Sequence, residues 1–203
     1  VSRRSLLRHQ LIAELCPRGG VIVDVGADHG NVAHAVGGIA TEREPQRRGR
    51  PDVPWVITDG LTAFHHVDVA ILAGMGAYTI LRILDAGPRP SCVIAHAPDE
   101  PRLLRRGLAD RGWHIEAERL APEGPRFAEV IRAVPGEEPS SDLKLEFGPR
   151  LRDGDDPHLR AHLQRLIWLI RDRADKTAGV APERHAEHQR ALTYLQTWLD
   201  ERA

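Results

Sequence analysis

The sequence predicts an α/β fold, a doubly wound parallel sheet followed by an α-helical hairpin, and three observations carry that reading. Short apolar segments rich in β-branched residues alternate with helical stretches over most of the chain, the pattern of a parallel sheet covered on both faces. The first of these segments, residues 21–25, runs directly into glycines at 26 and 30 and then into a helix-forming stretch from Asn31. That order places a binding loop at the carboxyl end of a first strand. In residues 157–177 and 182–201 the apolar positions recur at spacings of three and four.

The charges of the first loop narrow its ligand. A dinucleotide fingerprint reads G-x-G-x-x-G, and its middle glycine lets the backbone approach a pyrophosphate. Two residues after Gly26 this chain has Asp28, a carboxylate where a phosphate would sit. The loop therefore disfavours phosphates. S-adenosylmethionine carries an ammonium, a sulfonium and a ribose diol and no phosphate, so it suits nearby carboxylates. An ordinary strand-to-helix turn of some other α/β protein is the plain alternative, and a nicotinamide oxidoreductase ranks last because Asp28 replaces the glycine it needs.

Length and composition bound the rest. A chain of 203 residues holds one full α/β domain and a small appendage. Hydrophobic residues make up 41%, enough for a core, and the formal net charge of -1 gives no global basic field to announce a nucleic acid. Of the 28 basic residues only Lys144 and Lys176 are lysine. Cys16 and Cys92 match no metal or redox spacing and read as small buried thiols. Arg8 and Glu14 interrupt any secretory leader, and no apolar run approaches the roughly 20 residues of a membrane span. A cytoplasmic protein with no membrane partner is expected; nothing in the sequence fixes an oligomeric state.

Taken in order, residues 3–15 set Leu7, Leu11, Ile12 and Leu15 on one helical face, with Arg3, Arg4 and Arg8 elsewhere, and Pro17 with Gly19 and Gly20 ends the helix. A short helix follows the glycine loop over 31–37. Residues 38–42 then read as a second strand closed by Glu42, an acid placed to accept from a ribose diol, with Glu44 as a competitor. Residues 43–54 contain Arg43, Arg47, Arg48 and Arg50 among Pro45, Gly49, Pro51 and Pro54. They cannot form a normal crossover helix and are expected as a compressed basic loop, contacting phosphates or solvated.

Residues 55–58 read as a third strand ending at Asp59 and Gly60, and residues 67–72 as a fourth ending in Ala73-Gly74-Met75-Gly76. A helix over 77–86, a fifth strand over 91–96 and an arginine-rich helix over 100–111 follow. Residues 113–120 and 127–134 suggest two further strands, antiparallel and joined through 122–126. Residues 135–141 resemble a linker. The tail is predicted as an antiparallel helical hairpin over 157–177 and 182–201, with a coiled-coil-like contact, turning at Gly179 and Pro182. The expected domains are therefore 1–140 and 146–203.

These residues carry a resemblance. The succession Asp24-Val-Gly-Ala-Asp-His-Gly30, Ile39-Ala-Thr-Glu42, Asp59-Gly60 and Ile71-Leu-Ala-Gly-Met-Gly76, with Gly148-Pro149 and the helical tail, resembles the bacterial tRNA adenine-N1 methyltransferases that modify the D-arm. The resemblance extends from about Leu7 to Leu199, and Ala73 to Gly76 is its most specific part. It implies a Rossmann-like class I methyltransferase domain with a C-terminal coiled-coil hairpin, S-adenosyl-L-methionine as methyl donor and tRNA as acceptor. Asp24, Gly26 and Asp28 would line the methionine end, Glu42 would hold the ribose, and Asp59 with Gly60 would meet the adenine. Ala73, Gly74 and Met75 would floor the sulfonium. Three segments depart from the family pattern: the short 43–54 connection, His96-Ala97-Pro98 in place of a Gln-Pro-Asn-type segment, and Gly30-Asn31 where an aromatic often follows the histidine.

The eleven histidines include His65-His66 and the pairs His158/His162 and His185/His188 at helical spacings, but no third ligand or H-E-x-x-H pattern accompanies them. No metal is expected. Asp28 is the candidate catalytic residue, because methylating N1 of adenine needs no base, only alignment and an acceptor for the exocyclic amine. The alternative reading is a divergent, catalytically inactive homologue that binds RNA or a protein partner. A third keeps the cofactor and changes the methyl acceptor to a small molecule or another base.

Overall fold

The computed structural model describes residues 3–47 and 49–201. Arg48 and the side chains of Arg3 and Arg4, three of the arginines singled out above, lie outside the described residues. In chain order the elements are α1 (Arg3–Leu15), β1 (Ile22–Val25), α2 (Asn31–Val36), β2 (Ile39–Glu42), β3 (Trp55–Ile57), β4 (Val69–Ala73), α3 (Ala77–Ala86), β5 (Cys92–His96), α4 (Pro101–Ala109), β6 (Trp113–Glu123), β7 (Arg126–Pro135), α5 (Asp142–Phe147), α6 (Pro149–Asp153), α7 (Leu159–Thr177) and α8 (Pro182–Asp200).

Seven strands form one sheet in the order β3-β2-β1-β4-β5-β7-β6. The first five are parallel, and β7 runs antiparallel to both β5 and β6. Burial explains their composition. Every residue of β1 and β5 is buried, as a strand covered on both faces requires, whereas the edge strand β3 is only half covered. Alternate residues serve opposite layers. Val23, Val25, Leu72, Val93 and Ala95 pack with Ile80, Leu81 and Leu84 of α3 and with Leu104 and Leu108 of α4. Ile22, Ile71 and Ile94 pack with Leu11 and Ile12 of α1, with Cys16 just beyond it, and with Val32 and Val36 of α2. Strand order reverses between β1 and β4, which opens a crevice outside their carboxyl ends.

The 43–54 connection replaces a crossover helix with a single 3-10 turn, Pro45–Arg47. What holds it is packing. Val53 is buried and clusters with Ala33 and Ala40, and Trp55 packs against that cluster while its indole N–H donates to the Arg50 carbonyl at 2.9 Å. Arg50 donates to Asp52 at 2.9 and 3.0 Å, so it is tied within the loop. Arg43 and Arg47 remain largely exposed.

The linker-like reading of 135–141 is corrected by the structure. Glu138 has a fully buried side chain that accepts from the Ile115 amide at 2.7 Å, from Ser140 Oγ at 2.6 Å and from the Arg150 guanidinium at 3.2 Å. Helix α5 then packs against α4, and Leu145 joins the core. The polar composition that suggests a linker is the composition of an internal ionic clamp. The chain divides into two compact units, residues 1–150 and 151–203. In the second unit α7 and α8 pair along Leu163, Ile170, Ala174, Ala191 and Leu195, all buried. His185 meets the Ala174 carbonyl at 2.9 Å and His188 the Thr177 hydroxyl at 3.2 Å, closing the turn. No helix of the described residues is long and apolar enough to cross a membrane.

A second ionic network locks the antiparallel corner of the sheet. Arg105 of α4 is fully buried and donates to Glu118 of β6 at 2.5 Å and to Glu129 of β7, while Glu118 also accepts from the Arg150 amide at 2.8 Å. Removing the Arg105 guanidinium takes the ion-pair partner from Glu118, whose side chain is fully buried. Arg105→Ala should therefore lower the unfolding free energy by roughly 3–5 kcal/mol in a urea titration. Lys176→Ala, which breaks an exposed pair on α7, should cost less than about 1 kcal/mol. Equal effects would refute the network's role.

Candidate functional site

The crevice between β1 and β4 is built from three turns at strand ends. In the first, residues 26–30, left-handed backbone recurs: φ is 66° at Gly26, 51° at Asp28 and 71° at Gly30. Glycine adopts that region freely and aspartate more readily than most residues. The loop is stitched to the end of β2. Thr41 accepts from the amides of Gly26 and Ala27 at 3.0 and 3.1 Å, and Glu42 Oε1 accepts from the Asp28 amide at 2.8 Å. A Cβ at Gly30 would stand 3.0 Å from Trp55, and one at Gly49 would stand 2.4 Å from the His29 carbonyl. The Arg50 amide donates to that same carbonyl at 3.2 Å. The short 43–54 connection thus folds back and fixes the glycine loop.

The second turn follows β4. Met75 reaches over Gly26, since a Cβ there would lie 3.5 Å from Met75 Cε. Gly74, at φ 83°, donates to the His96 carbonyl at 2.9 Å. A Cβ on Gly74 or Gly76 would meet no atom within 4 Å. Open space therefore lies over both glycines, at the point where strand order reverses. The third turn, after β3, carries Asp59, half exposed and paired with Arg82 of α3 at 3.4 and 3.5 Å and with Arg43 at 3.9 Å.

The candidate residues fall into two groups. Gly74 and Met75, which follow Ala73, form the turn beside the open space, with Met75 over Gly26, and Asp28 stands on the same glycine loop as Gly26. The Asp28 carboxylate is 78% exposed and its nearest ionic neighbour is His29 Nε2 at 3.5 Å. It does not cap α2, whose N-cap is Gly30 with no side-chain bond. Asp24 and Glu42 instead lie beneath the loop. Asp24 is 5% exposed, and its Oδ2 accepts from the Ala33 amide at 3.0 Å. Gly60 is buried with φ 65°, and a Cβ there would stand 2.9 Å from Ile83 Cγ2, so α3 packing dictates that glycine. Glu42, Arg43, Glu44 and Arg47 line a cavity of about 350 Å³ at the end of β2.

The donor set suits a cation-bearing ligand without phosphates. Asp28, Glu42 and Asp59 put carboxylates on the glycine loop and at the ends of β2 and β3, and the loop's own amides at 26, 27 and 28 are already spent on Thr41 and Glu42. A pyrophosphate would find few free amides and three carboxylates. An ammonium and a ribose diol would find partners. Among the described residues no group of three His, Cys, Asp or Glu side chains could hold a metal. Tyr78, on the first turn of α3, and His96, buried at the end of β5, also belong to this end of the sheet. An aromatic two residues beyond Gly76, off the apolar face of its helix, is the signal the sequence holds for Tyr78.

Known proteins bear on this geometry. Residues 52–195 match the model of the family TrmK, tRNA (adenine(22)-N(1))-methyltransferase. Streptococcus pneumoniae Sp1610 shares the fold at a TM-score of 0.83 and 22% identity, over 98% of this chain and 99% of that one. Its complex with S-adenosyl-L-methionine aligns at 0.77 and 22%, over 95% and 98%. B. subtilis TrmK, an m1A22 tRNA methyltransferase, aligns at 0.77 and 20%, over 98% of each chain. No curated protein matches the sequence.

Asp24 yields a prediction independent of any ligand. Burial raises its carboxyl from 3.8 to about 7, opposed by the Ala33 amide and reinforced by the nearby Glu42 charge. Because the folded value lies above the unfolded one, the stabilising contribution is complete below pH 4 and is lost as pH rises through 7. Denaturant midpoints of the wild type should fall, relative to Asp24→Asn, between about pH 4 and about pH 7 and level off above it. Parallel pH profiles would contradict this.

Proposed function

The chain belongs to the tRNA (adenine(22)-N(1))-methyltransferase family and is an S-adenosylmethionine-dependent tRNA adenine-N1 methyltransferase; we propose that the β1/β4 crevice is where it does this chemistry. The observation that carries the assignment of the site is the open space over Gly74 and Gly76, in the turn whose Met75 lies over Gly26 of the glycine loop. When bound, S-adenosylmethionine supplies an electrophilic methyl group on a sulfonium. Glu42, with one oxygen on the Asp28 amide, has its second oxygen for the ribose, and Asp59 stands ready for the adenine end of the cofactor. Asp24 acts from below by fixing the first turn of α2 against the loop.

Adenine N1 holds an in-plane lone pair and no proton, so the protein need not supply a base. Its task is to hold the ring so that N1 meets the methyl group in line. As N1 gains the methyl group, positive charge spreads toward the exocyclic amine. In this reading Asp28 accepts from that amine and stabilises the charge more in the transition state than in the ground state. Its carboxylate, exposed and spent on no backbone amide, is free for this. We place the enzyme in the cytoplasm with its tRNA, and assign the second unit, 151–203, to holding tRNA rather than to the cofactor site.

Two experiments test these roles. Asparagine keeps the left-handed backbone accessible at residue 28, so Asp28→Asn isolates the charge. It should leave S-adenosylmethionine affinity near the wild-type value and lower kcat on unmodified tRNA by on the order of 10- to 100-fold, the worth of one charge-assisted hydrogen bond. Unchanged turnover would remove Asp28 from the reaction, and lost cofactor affinity would move it to the cofactor's cationic end. Among the described residues Arg43 and Arg47 pair with the exposed acids Asp59 and Glu44, partners they can exchange for phosphates at little cost. Replacing both by glutamine should flatten the log–log salt dependence of tRNA affinity by about 1 per arginine. An unchanged slope would assign them to solvent.

A further inference from the structure

An adenine inside folded tRNA must leave its stack before N1 can reach a methyl donor, and extruded bases are held against aromatic or apolar side chains. On the glycine loop, residues 26–31, the one ring is the imidazole of His29, 3.5 Å from the Asp28 carboxylate, with no phenyl, phenol or indole ring beside it. The opposite lip of the crevice has one. Tyr78 is the second residue of α3, two beyond Gly76, and is 68% exposed. Helix α3 buries Ala77, Ile80, Leu81, Ile83 and Leu84 against the sheet, so helical spacing turns Tyr78 and Arg82, one turn on, outward.

A single exposed ring is ordinary on a protein surface. Its position sets this one apart. The turn just before it is held by the Gly74–His96 bond, and a Cβ at Gly74 or Gly76 would meet no atom within 4 Å, so open space adjoins the start of the helix that carries the exposed ring. Among the described residues its hydroxyl has no hydrogen-bond partner and no other ring stacks on it. The other strongly exposed aromatic, Trp168, lies on α7 of the second unit and borders no such turn.

We propose that Tyr78 is an acceptor-binding residue on which the target adenine stacks once extruded, an inference that rests on the tRNA adenine-N1 methyltransferase reading. The glycines at 74 and 76 leave room for a flat base, Tyr78 supplies the face that replaces lost stacking, and Asp28 across the crevice takes the exocyclic amine. A stack needs the ring and not the hydroxyl, so Tyr78→Phe should behave as wild type.

The test uses full-length protein and an otherwise unmodified tRNA carrying 2-aminopurine in place of the target adenine, whose emission is quenched by stacking and restored when the base is extruded unstacked. Wild type and Tyr78→Phe should bind with quenched emission. Tyr78→Ala should bind with bright emission and show kcat/KM for methylation of natural tRNA reduced on the order of 10- to 100-fold, the range such a stack supplies. S-adenosylmethionine affinity, read by calorimetry, should be the same in all three. Quenching and kcat/KM of Tyr78→Ala equal to wild type would overturn the proposal, as would Tyr78→Phe falling as far as Tyr78→Ala. Wild-type protein that binds the cofactor and methylates no tRNA would overturn the parent reading and this one with it.

Discussion

Glu42 gives one carboxylate oxygen to the amide of Asp28, and the geometry of the crevice follows from that bond. Together with the Thr41 carbonyl, which takes the amides of Gly26 and Ala27, it fastens the glycine loop to the neighbouring strand. The same bond settles which ligands the loop can serve. A phosphate-binding loop keeps its amides free and points them at the anion; here they are consumed internally. What the loop exposes instead is the Asp28 carboxylate, carried on a left-handed backbone. A cation or an amine is the natural partner of such a surface.

The remainder of the first unit can be understood as what keeps that loop in place. Beneath it, Asp24 holds α2 through the Ala33 amide, and burial with a nearby Glu42 lifts its carboxyl to about 7. Behind it, the connection from β2 to β3 manages without a crossover helix because Val53 and Trp55 fill the space a helix would cover. Its backbone bonds to His29. At the far edge, the Arg105 network and the Glu138 clamp tie α4, β6, β7 and the segment up to Arg150 into one body. Buried charges of this kind are weak sources of net stability but sharp specifiers of register, since each partner tolerates only one arrangement.

Much of this is legible in local pattern alone. Helix 77–86 and the start of the hairpin helix at 182 follow from apolar spacing and proline, and each parallel strand lies within about two residues of its expected bounds. Sequence order also puts Asp28, Glu42, Asp59 and Ala73 to Met75 at strand ends, where the structure places them. What could not be read is what depends on distant partners. Glu138 looks like part of a polar linker until Ile115 and Arg150 surround it. Gly60 resembles a ligand-facing glycine until Ile83 is seen against it. Asp24 and Glu42 carry the right chemistry for a ligand, yet each spends an oxygen on a backbone amide, which only the fold reveals. Helices α5 and α6, six and five residues long, are too short to leave a periodic signal.

The central claim is that the carboxylate-rich, amide-poor crevice selects a cation-bearing cofactor without phosphates. Calorimetric titration of the purified protein with S-adenosylmethionine and, separately, with oxidised nicotinamide dinucleotide tests it most directly. The account predicts saturable binding of the first at one site per chain and no binding of the second. Binding of the dinucleotide, or no heat with S-adenosylmethionine at millimolar concentration, would contradict it.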